Sequence, residues 1–121
     1  MKVKTSELSG VQLDVAVALA LEMTGGDLRV RGGYGCSYYN GSGLKAFSPS
    51  TDWSQCGPLR DTFDVGIEPG VSNGLCYAYV PGRALDGSCG ETVLIAICRA
   101  VVAAKLGDEV DIPDELMEVE E

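Results

Sequence analysis

Two stretches of the chain are apolar almost all the way round at helical spacing, and between them the pattern changes to short alternations broken by glycine. In residues 11–22 the strongly polar positions are only Gln12, Asp14 and Glu22, while Leu13, Ala16, Val17, Ala20 and Leu21 recur at helical intervals. Ser9, followed three residues later by Gln12, matches a capping box, and Leu8 and Leu13 stand at the two staple positions. Thr24, Gly25 and Gly26 end this first helix. The second is predicted over residues 92–106, capped either by Ser88 with Glu91 in box spacing or by Thr92, and stopped by Gly107. Val93, Leu94, Ile95, Ile97, Cys98, Val101 and Val102 surround it, with Arg99 and Lys105 its only charges, so it should be the central helix of the core.

Residues 28–31, 63–67 and 75–80 alternate as half-buried strands do, residues 1–5 alternate weakly, and residues 109–112 read as an edge strand ended by Pro113. The link 68–74, with Pro69, Gly70, Asn73 and Gly74, is acceptable as a hairpin loop. These elements predict an α+β fold over residues 1–113, a single domain in which a small antiparallel sheet packs against two main helices. An acidic, frayed tail is expected at 114–121.

Two segments resist that scheme. Residues 32–43 mix Gly32, Gly33, Gly35, Gly41 and Gly43 with Tyr34, Tyr38 and Tyr39, too much glycine for a regular element and too much aromatic for a linker. Either the rings pin a loop or hairpin to the body, or they stack on a planar ligand. Residues 47–60 hold the only Trp, a row of hydroxyls and several turn formers. Ser50 is a good N-cap for a very short helix over residues 51–55, stopped by Gly57 and Pro58. Its free amides, beside the Ser50 and Thr51 hydroxyls, suit a carboxylate or phosphate. The opposing reading has Asp52 satisfying those amides and Trp53 plugging the core.

Charge changes the picture mainly by where it lies. The formal charge is −9, but eight of the 18 acids fall in residues 107–121 without a base, leaving ten acids against nine bases elsewhere. A near-neutral body has no basic stripe for a duplex, so direct nucleic-acid binding is excluded. The longest apolar runs are far too short for a membrane span. Five cysteines without a Cys-x-x-Cys spacing, and no His, give no structural metal site and rule out Ser/His and Cys/His nucleophile pairs. Lys2 and Lys4 lead into no uninterrupted apolar run, so a cytoplasmic location with free thiols is expected. Cys76 and Cys98 fall inside elements as core residues, and Cys56 is the thiol to test for reactivity.

The site these residues nominate is Ser48, Ser50, Thr51, Asp52, Trp53 and Arg60, with Tyr38 and Tyr39 from the Gly/Tyr segment. Arg29, Arg31 and Arg83 come from segments able to converge near it. The set suits a non-enzymatic binder of a small anionic or nucleotide-like ligand, with no cofactor. The alternative is an interaction module that engages another protein through the acidic tail and Gly/Tyr segment. An enzyme using Asp52, Asp61 or Cys56 has the least behind it, since no spacing pairs a general acid with its base. A homo-oligomer is compatible with any of these.

Residues 1–10 with Leu13, Asp14 and residues 16–18, then Phe47 through Trp53 with Gly57 and Pro58, then residues 94–96 and 104–110 with Ile112 and Pro113, form three ordered motifs. Together they resemble the NinX-like proteins of lambdoid phages and prophages. The chain departs from that pattern near Val15, where the family tends to carry an aromatic, and at Cys56, where it tends to carry glycine. The resemblance implies a phage or prophage origin and a host-cytoplasmic location, and it carries over no catalytic residue. It adds emphasis to Ser48, Pro49, Ser50, Thr51, Trp53, Gly57 and Pro58.

Overall fold

The computed structural model describes residues 2–21, 28–31, 35–39, 44–72, 75–81 and 88–112. In chain order the elements are β1 (Lys2–Lys4), a 3-10 turn (Thr5–Glu7), α1 (Gly10–Ala20), β2 (Leu28–Arg31), β3 (Gly35–Tyr39), β4 (Leu44–Phe47), α2 (Trp53–Phe63), β5 (Gly66–Ser72), β6 (Leu75–Tyr79), β7 (Ser88–Gly90), α3 (Val93–Leu106) and β8 (Glu109–Asp111). The fold is α+β. Among the described residues, three helices accompany three small antiparallel sheets, ordered β1-β8, β2-β3-β4 and β5-β6-β7.

The core helix is α3, as its all-round apolar pattern requires. Ala96, Ile97, Cys98, Ala100, Val101 and Val102 are buried along it, and it packs against α1, α2, the β5-β6-β7 sheet and β8. Thr92 is its N-cap, the Oγ1 accepting from the Ile95 N–H at 3.1 Å. That decides between the two caps offered by the sequence. Arg99, one of its two charges, spans two neighbours: Nε donates to the Leu8 carbonyl at 2.9 Å and an Nη1 hydrogen goes to the Cys89 carbonyl at 2.7 Å.

Helix α1 begins after Ser9 as the spacing predicts, but the Ser9 side chain makes no capping hydrogen bond. The staple residues Leu8 and Leu13 are both fully buried. From Leu13 to Ala18 every side chain of α1 is buried, Asp14 included. The chain's two ends meet through β1 and β8, which pair Val3 with Val110. The Thr5 N–H donates to the Asp108 carbonyl and its Oγ1 to the Gly107 carbonyl, both at 2.7 Å, which satisfies carbonyls left open where α3 ends.

Three expectations need correction. The Gly/Tyr segment contains a regular strand: β3 pairs with β2 (Val30 opposite Cys36) and with β4 (Cys36 opposite Phe47). Its glycines flank a run of Cys, Ser and Tyr that suits a sheet once two partners are present. The short helix at 51–55 is instead the eleven-residue α2, running through Gly57 and Pro58 to Phe63. Consequently residues 63–67 are not one strand: Asp64 takes a left-handed conformation (φ 53°) as the helix C-cap, and β5 starts at Gly66. Strand β5 also extends through most of the expected hairpin link, with a register irregularity between Glu68 and Ser72. Residues 113–121, and Gly25, Gly26, Gly82 and Arg83, lie outside the described residues.

Candidate functional site

The nominated segment leaves β4 at Phe47, turns through Ser48 to Asp52 and enters α2, and the turn is built almost entirely from its own hydrogen bonds. The Ser48 N–H donates to Gln55 Oε1 at 2.7 Å, and the Thr51 and Asp52 N–H groups both reach the Ser48 carbonyl, at 3.0 and 2.9 Å. Asp52, not Ser50, is the N-cap. Its Oδ1 accepts from the Ser54 N–H at 2.9 Å and from the Ser54 hydroxyl at 2.6 Å, while its carbonyl accepts from the Gln55 and Cys56 N–H groups, both at 3.0 Å. The Thr51, Asp52 and Ser54 amides, which would have cradled an anion, thus already have acceptors within the chain.

Ser50 faces inward rather than toward solvent. Its N–H donates to Asp14 Oδ1 at 2.9 Å, a buried bond between the turn and α1. The Ser50 hydroxyl, buried beside the same carboxylate, completes no hydrogen bond of good geometry. Burial pushes the Asp14 carboxyl above its ordinary value near 3.8, against the hydrogen bonding of Ser50, which favours the charged form. A folded-state value raised above the unfolded one means that native Asp14 retains its proton to higher pH. Its contribution to stability is then full at low pH and lost as pH rises from about 4 through the folded value. Asp14→Asn keeps the acceptor and removes the titration. In urea unfolding from pH 4 to pH 7 the stability of the variant relative to the wild type should rise with pH, and a relative stability that stays flat or falls would contradict the raised carboxyl.

Trp53 is the first residue of α2 and is 48 % exposed, so it is not a core plug. Its ring folds back along the helix over Gly57, where an added Cβ would sit 3.6 Å from Nε1. Arg60 is exposed one turn further on the same side, and a shallow, open depression of about 340 Å³ at the end of the helix is lined by Arg60, Asp61, Asp64 and Val65. Cys56 and Leu59, on the adjoining side, are buried, and the helix packs on α3. This anchoring explains why α2 survives Pro58, which withholds an N–H from the Ser54 carbonyl: apolar residues at 56, 59 and 63 recur at helical spacing and burial outweighs the broken bond.

Among the nominated residues, Ser48, Ser50, Thr51, Asp52, Trp53 and Arg60 fall on one turn and helix. Tyr38 and Tyr39 lie on β3, opposite Lys45 and Leu44 of β4, whose chain leads into that turn. Arg29 and Arg31 lie on β2, at the far side of β3. Cys56, expected beside a turn, is instead fully buried at the α2–α3 contact. Sequence reasoning missed Asp14 and Gln55 as the groups that hold this region in place, and Arg99 as the group that ties α3 to Leu8 and Cys89. Their signal was that Asp14 and Arg99 are isolated charges within apolar helices.

The family model described as Bacteriophage P22, NinX matches residues 4–105. The chain belongs to this phage family. The NinX match begins at the end of β1, stops at the last turn of α3 and includes the whole segment from Phe47 to Arg60, so the turn and α2 are part of the NinX pattern. No curated protein matches the chain significantly. Among the described residues, no helix is long and apolar enough to cross a membrane.

Proposed function

We propose that this NinX-family chain is a non-enzymatic phage accessory protein that acts by docking on a host or phage protein through the exposed side of α2. The observation that carries this reading is Trp53, half exposed on a helix that the adjoining Cys56 and Leu59 anchor in the core. Leaving a large indole in water forgoes burial that a core position would have provided, and Trp and Arg are the side chains most enriched among interface anchors. Gly57 places no Cβ against the indole, and Arg60 follows it along the helix. The Asp52 carboxylate is engaged as the cap and the Cys56 thiol is buried, which weakens an enzymatic role for either.

Trp53→Ala tests the proposal. Unfolding stability should change by no more than about 0.5 kcal/mol, as for a surface substitution, while affinity for the partner recovered with the wild type should fall at least about tenfold. Equal recovery by both proteins would refute a Trp53-centred interface. Deleting residues 114–121 separates this interface from one made by the acidic tail.

Arg60 on the same side of the helix supports a second reading, in which a small nucleotide-like anion stacks on Trp53. Titrating Trp53 fluorescence with nucleoside mono-, di- and triphosphates tests it. The neighbouring carboxylates of Asp61 and Asp64, and the occupied amides of the turn, favour the protein partner.

A further inference from the structure

Where α2 packs on α3, two thiols meet. Cys56 and Cys98 are both fully buried, and the two thiols lie near enough to perturb one another's ionisation. Cys56 Sγ also lies 3.9 Å from the Leu94 carbonyl oxygen, one helical turn before Cys98, so it sits against the turn of α3 that carries the second thiol. Neither thiol has a part in the docking surface proposed above. A simple core would place two carbon side chains here. The chain places two sulfurs, one from each helix, in contact.

The pair is also asymmetric. The hydrogen bond from Cys98 holds the Cys56 thiol below its ordinary value, against the opposing effect of burial. Cys98 is pushed up, first by donating that bond, then by burial and by the negative charges of Cys56 and Asp14. The two shifts favour the thiolate of Cys56 over that of Cys98 as the attacking group. Access comes from the helix itself. Gly57 and Pro58 directly follow Cys56, so the ladder of α2 is interrupted beside the sulfur, and of its eleven residues only Cys56 and Leu59 are fully in the core. Helices with few buried contacts open locally more readily than the globule unfolds.

We propose that Cys56 and Cys98 are a redox-active dithiol, closed by a low-molecular-weight disulfide such as oxidised glutathione into an intramolecular bond that staples α2 to α3. The Cys56 thiolate attacks one sulfur of oxidised glutathione, forming a mixed disulfide and expelling a glutathione thiolate. Cys98, deprotonated during this second exchange, attacks Cys56 Sγ, forms the Cys56–Cys98 bond and expels the second glutathione thiolate. The two protons lost by the protein thiols end on two molecules of glutathione, so the protein is oxidised by two electrons and the glutathione disulfide is reduced by two. The inference stands whether or not Trp53 anchors a partner, since the chemistry is read on the protein alone.

The test uses the reduced full-length protein and a variant in which Cys36, Cys76 and Cys89 are serine, leaving the two thiols in question. After exposure to oxidised glutathione, alkylation of remaining thiols and intact-mass measurement should show loss of two hydrogens, with peptides containing Cys56 and Cys98 linked. The oxidised form should have a raised Tm that returns to the reduced value with dithiothreitol. Cys98→Ser in the same background should stop at a glutathione adduct on Cys56. The proposal is overturned if both thiols remain alkylatable under conditions that fully modify exposed Cys89 in the wild type, or if only adducts or intermolecular dimers form. Peptide mapping of the wild type gives the same decision if the multiple variant does not fold.

Discussion

Gly90→Ala should cost about 3 kcal/mol of stability, the upper part of the range for forcing atoms into a packed core. Gly90 ends β7 in a buried position, and a Cβ there would stand 2.6 Å from the Ala96 backbone nitrogen and 2.8 Å from Ile95 Cγ2. The first of these cannot move away cheaply. It belongs to the first turn of α3, held by the Thr92 cap on the Ile95 N–H and by the Ala96 N–H on the Thr92 carbonyl at 3.0 Å. Relief requires either lifting β7 from the helix or unseating the cap. Gly57→Ala is the control, because its Cβ would meet only the Trp53 ring at 3.6 Å, an ordinary contact. In a helix interior that exchange should gain about 0.5–1 kcal/mol. Urea midpoints for the two variants should therefore move in opposite directions, and a Gly90→Ala protein within about 1 kcal/mol of wild type would mean that β7 does not press on α3 as described.

Arg99→Ala should be nearly as damaging, at about 2–3 kcal/mol, since hydrogen bonds from a charged donor contribute about 1.5–3 kcal/mol each and one of the two here is solvent exposed. The guanidinium bridges three elements: it sits on α3, holds the carbonyl of fully buried Leu8 before α1, and holds the Cys89 carbonyl of β7. Removing it strands the Leu8 carbonyl. Arg99→Lys discriminates between charge and geometry. Lysine keeps the charge but lacks the fork of planar donors, so it should recover no more than about half of the loss. Full recovery by lysine would show that the charge alone, rather than the two-carbonyl bridge, is what matters.

Much of the fold was legible because burial and hydrogen bonding are written locally in some segments. Ser9 and Thr92 stand at the N-caps where spacing put them, Gly107 ends α3, and residues 28–31 and 109–111 form strands. The errors fall where local signals and tertiary packing disagree. Gly57 and Pro58 read as a stop, yet α2 continues through them because Cys56, Leu59 and Phe63 find the side of α3. The glycines around Tyr38 and Tyr39 read as a loop, yet β3 forms because strands on both sides supply its hydrogen bonds. At the candidate site the sequence located the turn and Trp53 but not the direction of either: Ser50 faces Asp14, and the indole faces water.

By itself, then, the sequence determined the composition of the core, the central role of the second long apolar helix, the absence of histidine chemistry and the family, which rests on ordered motifs. These depend on which residues are present and on their spacing, and periodicity of 3.6 or 2 needs no partner to be read. Tertiary structure alone decided that the amides before α2 are already satisfied, that Trp53 is exposed, that Cys56 meets Cys98 and that Arg99 joins α3 to Leu8 and Cys89. Each of these is a contact between residues far apart in the chain or a choice between inside and outside. Such choices follow from what the rest of the fold covers, and no local pattern carries that information.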